Sequence, residues 1–457
     1  MFYFQRNIIS GIAILIAFIV MSTPSNSQVW SKVPGTLEYV NFLKFSVHDA
    51  NKLYVGADSN PTNIENNTIT FPFFGNGYQV STDKGATFSA ATLTDYSIFD
   101  IIESPSDPSK LLISARKQDI GRIFLSTDAG TTWDETTKRC ESSSQVSRFQ
   151  VAKEGDDEIY YASLLNASNG FRFSNDYFET CSVNPATNVN SRDLAISKTN
   201  PKVLYLNGDN ISKSRVMCST DGGATWADRS EGLRNYRILS IQVSPINEGI
   251  VIVGADSVTP TGFLNGIGIF YSDDYGVNWR FVGAKGALVH DIQFHPTDPR
   301  FCVAAGGPLG VFISGTGGDY WEQSLDGLPE GAFARKIAIP NIPPTNDGII
   351  AYASIYGEGI YKSTHITTSV NNQDELSQTR LVNSIYPVPA VDKIIVNTNP
   401  SVSEIRYEIF DVMGNNIIQG NLNTNTQINV AQLMQGNYFI KFSNNGNYQL
   451  EKFTKID

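Results

Sequence analysis

Residues 126 to 133 read STDAGTTW, and close copies recur along the chain as STDKGATF from Ser81, STDGGATW from Ser219 and SDDYGVNW from Ser272. All four fit Ser-x-Asp-x-Gly-x-x-aromatic. The pattern positions are Ser81, Asp83, Gly85 and Phe88; Ser126, Asp128, Gly130 and Trp133; Ser219, Asp221, Gly223 and Trp226; and Ser272, Asp274, Gly276 and Trp279. Self-similarity at a fixed period of this size is the signature of a repeat architecture, in which each copy is one supersecondary unit.

The second unit shows what surrounds the box. IFDIIESPSDPSKLLISA gives an alternating apolar strand, a Pro-containing turn and a second strand; RIFLSTDAGTTWDET gives a third strand, the box and a fourth strand. That is a four-stranded antiparallel meander. Equivalent first turns appear as SKTNPKVLY at Ser197, SPINEGIVI at Ser244 and HPTDPRFCV at His295. Two weaker boxes then become visible. SNDYFETC at Ser174 has Phe178 in place of Gly and Cys181 in place of the aromatic, and SGTGGDYW at Ser314 has Thr316 in place of Asp. The six box starts at 81, 126, 174, 219, 272 and 314 are separated by 45, 48, 45, 53 and 42 residues. Residues 334 to 363 supply three further strands and end at Ser363, where another box is due. The missing strand is at the other end of the chain, since VWSKVPGTL from Val29 matches the strand that follows a box, as in TWADRSEGL from Thr225. The fold class expected is all-β: a seven-bladed β-propeller closed by its N-terminal strand, which leaves no open sheet edge between the ends.

The box is a folding device. Gly130 can adopt the positive backbone angle of a tight turn, the Asp128 carboxylate and Ser126 hydroxyl can accept turn amides, and Trp133 can bury its ring between strands or blades. The aligned aspartates sit on different blades and cannot converge on one substrate, so neither a metal nor a catalytic role is expected of them.

The ends of the chain carry an address. Residues 1–27 have Arg6, an apolar run from Ile8 to Met21 and STPSNS, the pattern of a secretory signal peptide cleaved after Ser27. No later segment is apolar enough to span a bilayer, so the mature protein is expected not to be transmembrane. Export allows disulfides, with Cys140 and Cys181 at comparable positions of successive units and Cys218 and Cys302 reading as buried thiols. No zinc-type spacing or cofactor motif occurs, so no metal or cofactor is expected. The net charge of -11 argues against a nucleic-acid partner. Residues 28–366 are expected to form the propeller, 367–383 a polar linker, and 384–457, with six alternating segments, a small immunoglobulin-like β-sandwich.

The boxes resemble the Asp-box, or BNR, repeats of sialidase-like propellers, xyloglucanases, sortilin-type receptors and a photosystem assembly factor. The resemblance implies the fold, and little chemistry, because such members include hydrolases and pure binders. The tail is similar to the type A sorting domain of the type IX secretion system. The match rests on SIYPVPAVDKIIV at Ser384, EIFDVMGNNI at Glu408, NVAQLMQGNYFIKF at Asn429 and the closing EKFTKI, with Val388 as the single departure from Tyr-Pro-Asn-Pro-Ala. It implies recognition by the type IX machinery and passage through the outer membrane to the cell surface or beyond.

Candidate sites fall on the face opposite the boxes. The first blade inserts DSNPTNIENNTITFPFFGNG from Asp58 with Phe71, Phe73 and Phe74, and the fifth inserts DSVTPTGFLNGIG from Asp256 with Phe263. Exposed aromatics beside Asn and Asp suit sugar stacking or a protein partner, or self-packing of the loops. First-strand alignment places Phe99, Arg192, His290 and Arg335 at one position and Asp100, Asp193, Asp291 and Lys336 at the next, with Arg148 and Arg237 nearby. Converging arginines can grip a carboxylate, and Asp193 with Asp291 could serve as a glycosidic acid-base pair; such charges can equally satisfy one another. The Phe/Tyr-Arg-Ile-Pro stretch of sialidases has its nearest match in YRIL at Tyr236, mid-chain, and no nucleophilic tyrosine with a partner glutamate is found. The leading expectation is therefore a secreted or cell-surface binding propeller with a glycan or protein ligand. A glycoside hydrolase acting at the channel face and a scaffold for other exported proteins are the alternatives.

Overall fold

The computed structural model describes residues 30–58, 63–65, 68–70, 75–118, 120–136, 145–165, 167, 169–183, 190–210, 213–258, 264–344, 349–366, 381–386, 390–398, 404–411, 416–422, 427–444 and 447–456. Every element among them is a strand. Alternating apolar residues and short turns produce antiparallel sheets in chain order, and the second repeat gives the pattern. Ser97–Glu103, Leu111–Lys117, Ile120–Ser126 and Asp134–Glu135 pair in sequence as blade 2.

Seven such sheets make an all-β propeller. Their first strands are Val40–Phe45, Ser97–Glu103, Gln145–Glu154, Leu194–Ile196, Arg237–Val243, Asp291–Phe294 and Ala334–Ala338 for blades 1 to 7. Each neighbours the next, and the last returns to the first. Blade 7 is split as expected. Trp30–Lys32 pairs antiparallel with Gly359–Ile366, Trp30 opposite Ser363, so the N-terminal strand occupies the place that would follow a seventh box. Trp30 is buried, and its indole N–H donates to Ser324 Oγ of blade 6 at 2.9 Å.

The apolar core is distributed between blades. Seven clusters of buried side chains are each shared by two consecutive sheets. One of them joins Ala338, Tyr352 and Ile360 of blade 7 to Val40, Leu43 and Leu53 of blade 1, closing the ring. Blade 1 departs from the four-stranded expectation. Its sheet has three strands, and the fourth shrinks to the Tyr78–Thr92 bridge. There the Ser89 hydroxyl accepts the Val80 amide at 3.0 Å, a ladder bond that a longer strand would use. Its second-to-third insertion carries a two-stranded ribbon, Asn63–Glu65 with Thr68–Thr70.

Residues 1–368 and 369–457 form two compact units. In the second, a three-stranded sheet (Val382–Tyr386, Lys393–Thr398, Gln427–Asn429) and a four-stranded sheet (Asn416–Leu422, Ile405–Asp411, Gly436–Asn444, Asn447–Lys455) share a core of Ile394, Ile409, Ile440, Phe442 and Phe453. That is the expected sandwich. Cys181 is disulfide-bonded and Cys218 and Cys302 are buried free thiols; Cys140 is the remaining cysteine and lies outside the described residues, as do the signal peptide and nearly all of the 367–383 linker.

Truncating a fully buried large aromatic costs about 3–5 kcal/mol. Trp30→Ala should therefore lower the urea midpoint of the propeller by that equivalent, whereas substitution of the exposed neighbour Ser31 should leave it unchanged; equal midpoints for the two variants would remove the closing role of this strand.

Candidate functional site

The box turns are built alike. In blade 2, Ser126 Oγ donates to Asp128 Oδ1 at 2.8 Å and accepts the Gly130 amide at 2.8 Å, and Asp128 Oδ1 accepts the Thr132 amide at 2.8 Å. The Thr132 hydroxyl completes the loop by donating to Asp128 Oδ2 at 2.6 Å. The boxes at Ser81, Ser219 and Ser272 repeat this, with Asn278 replacing the threonine in the last. The residue before the aromatic is thus part of the motif, a contribution absent from the sequence pattern. Two successive residues turn left-handed, Ala129 (φ 60°) and Gly130 (φ 91°) in blade 2. Blade 3 holds the same turn with Tyr177 (φ 57°) and Phe178 (φ 64°), and the buried Phe178 ring, packed on Phe149 at 5.5 Å, compensates for a conformation that disfavours large side chains. In blade 6, Thr316 Oγ1 takes the carboxylate's place by accepting the Tyr320 amide at 2.9 Å.

The box aromatics bind each blade to the one before it. Trp133 meets Tyr78 of blade 1 edge-on at 5.6 Å, Trp226 meets Phe171 of blade 3 at 5.0 Å, and Trp279 donates to the Arg229 carbonyl of blade 4 at 2.8 Å. Phe88 packs beside Val33, just past the closing strand. Hydrogen bonds from Thr87, Thr132 and Thr225 hold the carboxyls of Asp83, Asp128 and Asp221 down at about 2.

On the channel axis a second set of carboxylates ties the ring together. In blades 1, 2, 3, 5 and 7 the first strand bulges just before this level, re-aiming the following side chain. Asp100, Asp193 and Asp291, from blades 2, 4 and 6, each accept a backbone amide of the next blade: Phe149 at 2.6 Å, Ile241 at 3.0 Å and Ile337 at 3.0 Å. Arg148 of blade 3 spans the axis, its Nε donating to Asp193 Oδ1 at 2.8 Å and Nη2 to Asp291 Oδ1 at 3.2 Å. Burial alone would lower the Arg148 pKa, but Asp193, Asp291 and Asp100 more than reverse it. Lys336 faces the same carboxylates, and its pKa is lowered by burial. The sequence-predicted Asp193 and Asp291 are thus brought together, through Arg148, with their oxygens committed to blade contacts.

Above this level lie the remaining predicted residues. Arg237 clamps the buried Asp256, with Nε at 2.9 Å from Oδ1 and Nη2 on Oδ2. Arg335 lies over the Tyr356 ring at 5.5 Å. Burial raises the pKa of Asp58, against the opposing pull of Ser97, Asn41, Arg335 and Arg116. His290, beside Phe333 at 5.5 Å, is pulled down to about 3 by burial and by Arg335, Lys336, Arg237 and Arg192, so it is neutral at physiological pH. The amide of Arg192 is held by Asn207 Oδ1 at 3.1 Å. Phe71, Phe73, Phe74 and Phe263 lie outside the described residues.

A cavity of about 380 Å³ lies among the ends of the first strands, with Arg148 in its lining. Lys44, Lys198, Gln242 and the apolar Val151, Val243 and Phe294 are among its walls. The sequence alignment of strand starts did not extend to these strand ends.

Residues 384–456 match the model of the secretion system C-terminal sorting domain. The tail thus carries an export address. No model of the Asp-box repeat matches the propeller, and no curated protein matches the chain in sequence. Among solved structures, YCF48 from Cyanidioschyzon merolae aligns with a TM-score of 0.52 and 13% identity, covering 74% of this chain and 98% of that one. YCF48 bound to a D1 peptide aligns with a TM-score of 0.50 and 15% identity, covering 74% and 96%. PorZ of Porphyromonas gingivalis, an essential surface component of the type IX secretion system, aligns with a TM-score of 0.49 and 14% identity, covering 92% of this chain and 60% of PorZ. The chain therefore spans 60% of the length of PorZ. At these identities the likeness is one of fold.

Two measurements check the roles of the carboxylates. Box aspartates whose folded pKa is near 2, against about 3.9 unfolded, contribute stability that is complete above about pH 4 and lost as pH falls through about 2. The combined Asp83→Asn, Asp128→Asn and Asp221→Asn variant should show a shallower fall in urea midpoint between those pH values than the wild type; parallel curves would assign the acid sensitivity elsewhere. Arg148→Met strands two buried carboxylates and should cost about 3–5 kcal/mol, read by equilibrium unfolding at pH 7. A neutral result would mean that Asp193 and Asp291 do not depend on Arg148.

Proposed function

We propose that this chain is a cargo of the type IX secretion system whose propeller acts outside the cell as a binding module for a carbohydrate or protein partner. The observation that carries the export half is the sorting-domain match over residues 384–456; the N-terminal signal pattern is consistent with entry into the periplasm. The binding half is supported by the channel, where Asp193 and Asp291 are saturated by Arg148 and by the amides of Leu194, Ile241 and Ile337. A glycosidic acid-base pair needs one carboxyl free to hold a proton against the leaving oxygen and another free to reach water or the sugar. Binding by inserted loops on a rigid scaffold needs neither. The aromatic-bearing insertions after Asp58 and Asp256 are the surfaces assigned to the partner.

Deletion of residues 384–457 should leave the propeller in the periplasm, and fusion of those residues to a periplasmic reporter should export it; continued export of the truncated chain would refute the address. For the ligand, a glycan array probed with the full chain should give hits that fall at least tenfold in Phe71→Ala, Phe74→Ala and Phe263→Ala variants. Hits unaffected by all three would move the site off this face.

A further inference from the structure

The charged groups around the cavity at the first-strand ends are matched among themselves. Lys44 Nζ donates to the Ile101 carbonyl at 3.0 Å and lies 3.9 Å from Asp100 Oδ1. Glu103 is buried, and its oxygens accept Ser46 Oγ at 2.9 Å, the Val47 amide at 2.7 Å and the Tyr54 hydroxyl. Arg148 is held by Asp193 and Asp291, and Lys198 is exposed, where water solvates it. With Lys336 facing the axis, Asp100, Glu103, Asp193 and Asp291 stand against Lys44, Arg148, Lys198 and Lys336, and the charges cancel. An ion entering such a site would give up its hydration without gaining an unmatched opposite charge. The cavity therefore suits an uncharged occupant.

Three glutamines form a polar belt in its wall. Gln150, Gln242 and Gln293 lie two residues beyond Arg148, Ser240 and Asp291 on their first strands, and all three line the cavity. Gln150 Nε2 donates to the Leu194 carbonyl at 3.0 Å and Gln293 Nε2 to Asp291 Oδ1 at 3.2 Å. Those acceptors fix which end of each amide is the nitrogen. Both Oε1 atoms, and the whole amide of Gln242, are left without a partner among the described residues. Phe45, Val151, Val243 and Phe294 supply apolar walls beside the belt. Acceptor oxygens set in hydrocarbon are complemented by an apolar body with a single donor, which is the form of a tyrosine or tryptophan side chain. A volume of about 380 Å³ holds one such ring.

The cavity reaches solvent at the box end of the strands. Glu103 pairs with Leu111 and Leu111 with Ser126, so the first strands finish level with the boxes, and Val47, in the lining, is 59% exposed. Ile246, next to the lining Pro245, is 67% exposed. A free ring compound filling the cavity would leave both of these side chains in water. A polypeptide whose aromatic residue entered it would lay the flanking residues over them, as chains do around the anchor side chains of interfaces.

We infer that this cavity is a docking site for a polypeptide that inserts one uncharged, donor-bearing aromatic side chain, its ring between the apolar walls and its O–H or N–H on the glutamine belt. The insertions after Asp58 and Asp256 leave from the other end of the strands, so the test is independent of the partner assigned to them.

The neutral peptide acetyl-Ser-Val-Tyr-Val-Ser amide, its Trp, Phe and Ala analogues, and N-acetyltyrosinamide are titrated against the full chain by saturation-transfer NMR. The Tyr or the Trp peptide should bind saturably, the Phe peptide about fivefold more weakly for want of one hydrogen bond, and the Ala peptide not at all. Gln242→Leu should narrow the difference between the Tyr and Phe peptides, and Gln242→Trp, which fills the cavity from a half-buried position, should abolish binding, both at the wild-type melting temperature. Val47→Ser combined with Ile246→Ser should bring the Tyr peptide down to the affinity of N-acetyltyrosinamide. Failure of both the Tyr and Trp peptides to bind, equal binding of the Tyr and Ala peptides, or wild-type affinity in Gln242→Trp overturns the site. Equal binding of N-acetyltyrosinamide and the Tyr peptide to the wild type overturns a polypeptide as its occupant in favour of a free ring compound.

Discussion

The pairing of Trp30–Lys32 with the third strand of blade 7 is the contact on which the rest of the molecule depends. Each apolar cluster of the propeller is shared by two blades, so no blade owns a complete core. A linear array of such units would leave two unsatisfied faces and two open edges. Joining the ends removes all four at once. Trp30 does this twice over, through its ladder position opposite Ser363 and through its indole bond to Ser324 in the neighbouring blade.

Carboxylates occupy two levels of this ring, and both are structural. At the rim, the box aspartates gather amides and hydroxyls within their own turns. On the axis, Asp100, Asp193 and Asp291 reach across to the amides of Phe149, Ile241 and Ile337. The first kind fixes the shape of a blade and the second fixes the angle between blades. Charge on the axis is balanced by Arg148, Lys336 and Lys44, the last 3.9 Å from Asp100, so the acidic surface implied by the net charge of -11 does not extend into the channel.

The blade count and the split seventh blade were legible because the box repeats at a nearly constant period and VWSKVPGTL resembles TWADRSEGL. Those are local patterns. The roles of Asp193 and Asp291 were not legible in the same way, for their acceptor oxygens meet backbone amides 48 and 46 residues away. Backbone donors leave no mark on a sequence, so two aspartates aligned at strand starts read as well as an acid-base pair as they do as inter-blade ties. The seventh box residue, threonine in four copies and Asn278 in a fifth, reads as variable by name although both side chains donate to the same carboxylate; only the copy at Ser314, with Tyr320 there, lacks that donor.

The closing pair also governs how the chain comes to be folded and stays so. Ser31 and Lys362 bond across a sequence separation of 331, so the last contact to form carries nearly the whole propeller as its loop. Local sheets can assemble in any order, but the ring exists only after both ends have been delivered. Once shut, it can come apart only by releasing that latch or by parting two blades elsewhere, and each route exposes a shared core before anything is regained. Resistance of the protein to proteases is therefore a matter of how slowly the latch opens, and the three residues Trp30–Lys32 set the lifetime of the whole ring.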